Sequence, residues 1–342
     1  MKKLLLATLL AGVTSVASAQ TSVYGLADAF YSSQTHAKNS VQVNAGGMST
    51  SYIGFSSTEK IGDMTAKAVY ETFLRTDTAA NGRFNGDAFY ARNAYVALVG
   101  PRGNEVQLGR VTTPMFISTV AFNSFGDSFT FSPIVTQRYG ANNFNLAGGG
   151  TDSGWNNSVL VKGKVAGLPG LSVTGVYSAG AVDDGVSKQS GKSVGAMYFN
   201  GPVGLTATWQ EVEQGLGRSN MSSTIIGGSY DLKVAKLFAQ YDTVKNSDTV
   251  TKEDKGYNVG ATLPLGSGNT AMVSYAKKDH TFLANRSAET STWAVGLSHA
   301  LSKRTDLYAA IRDTNYSNDG VVRTNTAWVD NRVTGVGIRH RF

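Results

Sequence analysis

The 342-residue chain contains no cysteine, which excludes a disulfide-stapled scaffold and any thiolate metal site, and it is long enough to fold without such staples. Its formal charge of +7 is mild and spread out, and no basic run is interleaved with aromatics on one element, so the charge carries no nucleic-acid footprint and points to small anions instead. Glycine (39) is abundant, proline (6) is scarce, and Tyr and Phe number 15 each, a balance that excludes low-complexity disorder and suits many strands joined by glycine-containing turns.

Lys2 and Lys3 precede an apolar run from Leu4 to Val13 and then Ala17-Ser18-Ala19, an A-x-A triplet. These three parts in order predict a cleaved export signal over residues 1–19; a buried N-terminal helix is the alternative. The exported chain then starts at Gln20, and loss of the two lysines takes the net charge from +7 to +5. The apolar run is shorter than the ~20 residues of a spanning helix, and later apolar stretches are all broken by polar residues. The exported chain therefore stays soluble or enters a membrane as a closed barrel, since lipid leaves the backbone no other choice.

From Gln20 onward, alternation with a period of two recurs. Leu171, Val173, Gly175 and Tyr177 alternate with Ser172, Thr174, Val176 and Ser178, and Tyr257, Val259, Ala261 and Leu263 alternate with Asn258, Gly260 and Thr262. Trp293, Val295 and Leu297, then Leu307, Ala309 and Ile311, repeat the pattern. The opposite faces carry Gly, Ser, Thr, Asn and single charges. A barrel with lipid outside and water inside asks for that composition, although a soluble β-sandwich also alternates. Short turns at 60–63, 100–104, 167–170, 201–202, 231–234, 264–269 and 301–305 alternate with longer polar connections near 33–46, 76–86, 111–150, 181–191, 214–221, 246–255, 280–289 and 317–326. Short turns on one rim and long loops on the other predict an all-β fold, a 16-stranded antiparallel transmembrane β-barrel over residues 20–342. At that strand number the interior stays open to water.

The connection at about 111–150 is the longest and holds Phe116, Phe122, Phe125, Phe129 and Phe131. Folding it into the lumen would bury these rings on the inner wall and narrow the passage; packing on neighbouring external loops is the alternative. The last segment places Val336, Ile338, His340 and Phe342 on one face and Gly335, Gly337, Arg339 and Arg341 on the other, with the terminal aromatic suited to an interfacial girdle.

Several stretches together resemble the general diffusion porins of β-proteobacteria and Neisseria. They are Val23-Tyr24-Gly25-Leu26-Ala27-Asp28, Gly54 to Gly62 (GFSSTEKIG), Ala94 to Leu98 followed by Leu108-Gly109-Arg110, Leu301 to Ala309 (LSKRTDLYA), and the ending Val336 to Phe342 (VGIRHRF). The resemblance covers the whole exported chain. It implies a homotrimer of 16-stranded barrels in the outer membrane, each with its third long loop folded into the lumen, passing small hydrophilic solutes and ions by passive diffusion without a cofactor. Two positions depart from the family. Tyr52 stands where it usually has Arg, and Trp155 stands where it often has Arg before Asn156-Asn157-Ser158, with Arg138 near enough to substitute.

Charges of opposite sign across a narrow aqueous constriction set up a transverse field that orients dipolar solutes and biases ions. Lys67, Glu71 and Arg75 share parity on the polar side of one strand, Asp28 shares a face with Tyr24, and Asp127 is the acid within the long connection, with Arg138 after it. The expected constriction sets Lys67, Arg75 and Arg138 against Asp127, with Glu71 and Asp28 nearby; the facing of Arg92 and Arg110 stays open. A substrate-specific channel, an enzyme on a barrel rim and a soluble or surface adhesin are the rival readings. Catalytic signals are poor. The histidines at 36, 280, 299 and 340 show no metal-ligand spacing, and Ser57-Thr58-Glu59-Lys60 matches S-x-x-K without an accompanying Lys-Thr-Gly.

Overall fold

Every strand carries backbone N–H and C=O groups along both edges, and here the wall pairs them all by closing on itself. The computed structural model describes residues 19–36, 38–139, 152–180, 190–213, 219–246, 251–283, 286–318 and 330–342. Among them, in chain order, come β1 (Gln20–His36), β2 (Lys38–Ala45), β3 (Tyr52–Ile61), β4 (Met64–Arg75), β5 (Ala80–Asn81), β6 (Asn93–Val99) and β7 (Glu105–Thr112). Two short helices follow, α1 (Pro114–Ala121) and α2 (Pro133–Tyr139). The chain then continues as β8 (Gly154–Lys164), β9 (Leu171–Ser178), β10 (Gly191–Asn200), β11 (Val203–Val212), β12 (Met221–Asp231), β13 (Lys236–Lys245) and β14 (Thr251–Gly266). The last four are β15 (Asn269–Phe282), β16 (Ser287–Ala300), β17 (Thr305–Asn318) and β18 (Asn331–Arg341).

Both β2 and β3 pair with β1, β2 along residues 29–36 and β3 along 20–26, so together they form one wall strand interrupted at 46–51. β5 pairs only with the end of β4. The wall is therefore a closed antiparallel barrel of sixteen strands, sealed where β18 runs beside β1 from Leu26 opposite Arg341 to Thr35 opposite Arg332. Closure leaves no unpaired edge, which is what a backbone in lipid requires.

The facing follows the sequence alternation. On β14, Tyr257 and Val259 are 42% and 47% exposed, while Asn258 between them is fully buried. Trp293, Val295 and Leu297 on β16, Leu307 on β17, and Val336 and Ile338 on β18 are likewise outward and exposed. No helix among the described residues is long and apolar enough to cross a membrane; the outward apolar faces belong to strands. The short turns gather at one rim, and several of them need a left-handed backbone that glycine supplies without strain, Gly62 at φ +60° and Gly201 at φ +56° among them.

Three expected loops are shorter than the sequence suggests, and the one near 246–255 loses residues 251–255 to β14. The connection near 33–46 is mostly the hairpin of β1 and β2, because Val41 and Val43 alternate with Gln42 and Asn44 and extend the ladder. The connection near 280–289 shrinks between β15 and β16 for the same reason, with polar residues on both faces hiding the strand. Residues 1–18 of the expected export signal, 140–150 of the long connection, much of those near 181–191, 214–221 and 317–326, and 247–250 of that near 246–255 lie outside the described residues.

The described part of the long connection packs on residues that point inward. Thr113 caps α1, its hydroxyl accepting from the Phe116 amide at 3.2 Å, and Pro114 occupies the first turn, where its missing N–H costs nothing. Ser118 Oγ lies 2.8 and 2.7 Å from the hydroxyls of Thr206 and Thr208 on β11. Gln240 of β13 donates to the Thr119 carbonyl, and Ser124 Oγ donates to the Val273 carbonyl on β15. Phe122 stacks on Phe199, and Phe131 meets Phe30 of β1 and Tyr308 of β17 edge-on. Phe122, Phe125 and Phe131 are buried, while Phe116 and Phe129 stack on each other, partly buried. Each fully buried ring contributes about 1.5–3 kcal/mol over leaving it in water.

Candidate functional site

Asp28 on β1 fixes the geometry of the interior. Its carboxylate accepts from the amides of Gly47, Met48 and Ser49 at 3.0, 2.9 and 2.8 Å and from the Tyr308 hydroxyl at 2.5 Å. It has no exposed surface, so it is a post that fastens the 46–51 turn rather than a charge presented to lumen water. That turn then holds the long connection: Ser128 Oγ donates to the Gly47 carbonyl at 2.6 Å, and Thr130 Oγ1 donates to the Gly46 carbonyl at 3.0 Å. Ser49 Oγ donates to Asp127 Oδ1 at 2.9 Å and accepts from Arg339 Nη1 at 2.8 Å. The acid of the connection and a base of the closing strand thus meet on one serine.

Lys67, Glu71 and Arg75 lie on the inward face of β4, opposite the exposed Tyr70. Glu71 is buried and pairs with Arg92, and it accepts from the Tyr24 hydroxyl at 2.7 Å and Asn93 Nδ2 at 2.6 Å. Tyr24 reaches it by lying across β3 at Gly54, where a Cβ would sit 2.6 Å from the Tyr24 ring. The Arg92 guanidinium stacks 4.0 Å over the Tyr52 ring. Lys67 Nζ lies 5.7 Å from the Tyr95 ring centroid, and Arg75 donates to Asn85 at 2.8 Å; neither has an acidic partner among the described residues. On β18, Arg339 and Arg341 share Asp306 at 3.1 and 3.4 Å, and the Arg341 side chain stays 45% exposed.

Arg138 is not among these groups. It is buried in α2, donates to Asp242 of β13 at 2.9 Å, and shares that carboxylate with Lys278 of β15 at 3.4 Å. Its charge is used to seat α2 on the wall, because a buried guanidinium demands a partner. Trp155, at the family's other departure, is buried against Val111 and Leu160. A separate cluster ties the 76–92 segment to the end of the long connection. Arg83 pairs with Asp87 at 2.9 Å and with Asp152 at 2.5 Å, and Arg110 pairs with Asp152 at 2.8 Å. Burial pushes the Asp87 and Asp152 carboxyls up, but the hydrogen bonds and charge of Arg83, joined at Asp152 by Arg110, outweigh it and hold both below the ordinary carboxylate value.

Of the six residues expected from sequence, the structure brings Lys67, Glu71 and Arg75 to one inward face with Asp127 held by Ser49 of the bracketing turn, buries Asp28 as an anchor, and removes Arg138 to a buried pair. Sequence reasoning left Arg92 open and did not select Arg339 and Arg341, although their parity opposite Val336 and Ile338 was readable. It noted Tyr52 only as a departure, and Arg92 stacking on it was not readable.

Residues 6–319 match the family described as Gram-negative porin. A curated relative, an outer membrane porin protein of Bordetella pertussis, is 26% identical over 185 residues, spanning 44% of this chain and 46% of that protein, so the chain matches under half of that relative's length. Among solved structures, the anion-selective porin from Comamonas acidovorans superposes with a TM-score of 0.77 at 21% identity, over 95% of this chain and 100% of that one. Salmonella typhi OmpF, solved with daunomycin, gives 0.73 at 18% over 94% and 97%. The trimer form of Vibrio cholerae OmpT gives 0.69 at 12% over 95% and 99%. At these identities the structural likeness carries the fold.

Proposed function

The chain belongs to the Gram-negative porin family, and from that premise we propose that it forms a water-filled outer-membrane channel for passive diffusion of small hydrophilic solutes and ions, with a mild preference for anions. Residues 1–19 serve as its export signal, and the channel assembles as a homotrimer, a reading supported by the fold it shares with the trimer form of Vibrio cholerae OmpT.

The carrying observation is the charge arrangement inside the closed wall. Lys67, Arg75, Arg92, Arg339 and Arg341 come from β4, the 76–92 segment and β18, whereas Asp127 arrives on the long connection. Glu71 and Asp306 neutralise part of the basic set, and Lys67 and Arg75 remain without an acidic partner among the described residues. The surplus is positive, so anions concentrate at the constriction while neutral polar solutes pass through water. The anion selectivity named for the Comamonas protein agrees with that sign.

Purified protein recorded as single channels in planar bilayers, in two salts of differing ion size, tests the reading. The expected result is ohmic conductance that falls with the size of the anion more than of the cation, and a reversal potential under a salt gradient that favours the anion. Absence of conductance overturns the channel, and a cation-favouring potential overturns the charge assignment.

A further inference from the structure

Tyr52 lies on the inward face of β3, the face of Gly54 and opposite in parity to the exposed Phe55. One of its neighbours, Arg92, lays a planar guanidinium over it at 4.0 Å, with Glu71 holding that guanidinium in place. Tyr24 packs edge-on at 6.3 Å between centroids and is itself fixed by its bond to Glu71. The ring is therefore pre-positioned by two groups that Glu71 holds in place, yet it stays partly exposed, and its hydroxyl has no hydrogen-bond partner among the described residues. Across β1 stands Arg341. Tyr52 and Arg341 both lie opposite Leu26, one on each side, so their backbones are about 10 Å apart at one height of the wall. Arg341 keeps nearly half its side chain exposed, which leaves guanidinium N–H groups beyond those used on Asp306.

We propose that Tyr52, stacked by Arg92 and flanked by Arg341, forms a subsite for aromatic carboxylates inside the channel. The π-face of such a solute stacks on the Tyr52–Arg92 pair, and its carboxylate accepts from Arg341. Aromatic stacking with a guanidinium in the layer is worth more than contact with an aliphatic body of the same size. An arginine at position 52 would attract every anion alike; a tyrosine instead selects among anions by the shape of the group that carries the charge. The subsite rests on the channel reading above and refines it.

The test compares benzoate with cyclohexanecarboxylate as blockers of single-channel potassium chloride current at pH 7. The two share charge and approximate size, and only benzoate has a π-face. In the native protein, benzoate is expected to reduce the current at about three- to tenfold lower concentration than cyclohexanecarboxylate. Tyr52→Leu is expected to abolish that difference, Tyr52→Phe to keep it, and Arg341→Gln to weaken both acids together. Equal block by the two acids in the native protein overturns the subsite, as does a preference that survives Tyr52→Leu or vanishes in Tyr52→Phe. Native protein that carries no chloride current overturns the channel itself, a different result from a channel that fails to discriminate. Should Tyr52→Leu not assemble, the native and Tyr52→Phe measurements decide the matter between them.

Discussion

Arg138 donates to Asp242 in a seam between α2 and the wall from which water is excluded, with Lys278 as the second cation on the same carboxylate. Removing one member of such a group leaves a buried charge short of its partner, at a cost of about 3–5 kcal/mol when no other partner remains. Lys278 remains, so Arg138→Met is expected to cost less than about 3 kcal/mol, read as a lowered denaturant midpoint, with the reversal potential unchanged. Arg75 behaves in the opposite way. It faces inward on β4, is bonded only to Asn85 and has no acid beside it among the described residues, so Arg75→Glu should move the reversal potential toward cations with stability changed by about 0.5 kcal/mol or less. An unshifted potential would remove Arg75 from the constriction. Both arginines were legible in the sequence as candidates, because polarity shows that a group avoids lipid. Polarity does not show whether the alternative to lipid is lumen water or a buried partner, and that distinction separates Arg75 from Arg138 and Asp28.

At the scale of elements, the 46–51 turn is the bracket on which the inner arrangement hangs. Three amides converge on Asp28, and the same turn presents the Gly46 and Gly47 carbonyls and the Ser49 hydroxyl to the long connection. Charge-assisted bonds of this kind are roughly twice as strong as neutral ones. Asp28→Asn should therefore raise hydrogen exchange at Met48 and Ser49 by about tenfold or more, together with noisier open-channel current as Asp127 loses its fixed neighbour. The segment joining β4 to β6 is fastened differently, by Arg83 between Asp87 and Asp152. Both carboxyls sit below their ordinary value, so the stability they confer is present above about pH 4 and is lost as pH falls through their depressed values. Arg83→Met should lower the melting temperature clearly at pH 7 and much less near pH 2; an equal penalty at both would show that packing, not charge, holds the segment. Neither fastening was legible beforehand. The five phenylalanines announced that 111–150 seeks an apolar surface, but which backbone amides meet which carboxylate depends on contacts between positions far apart in sequence.

For the molecule as a whole, the strand count was legible because each crossing repeats one simple pattern, an apolar outward face of fixed length between turns. The count survives errors at individual boundaries, as it did at β2 and β15. A wall of this kind is stabilised by a continuous ladder with no free edge, so the folded protein is expected to resist sodium dodecyl sulfate at room temperature and to change its gel mobility only after heating; unchanged mobility would argue against a closed barrel. The seam between β1 and β18 has a consequence of another kind. Its partners, Leu26 with Arg341 and Thr35 with Arg332, lie at opposite ends of the polypeptide, and ladders between such distant residues form slowly because the intervening chain must first be gathered in. No early portion of the polypeptide can finish a cylinder by itself. Until the last strand meets the first its Val and Leu stripes stay uncovered, a state prone to aggregate, so the yield of refolded protein should fall as the concentration of the extended chain rises.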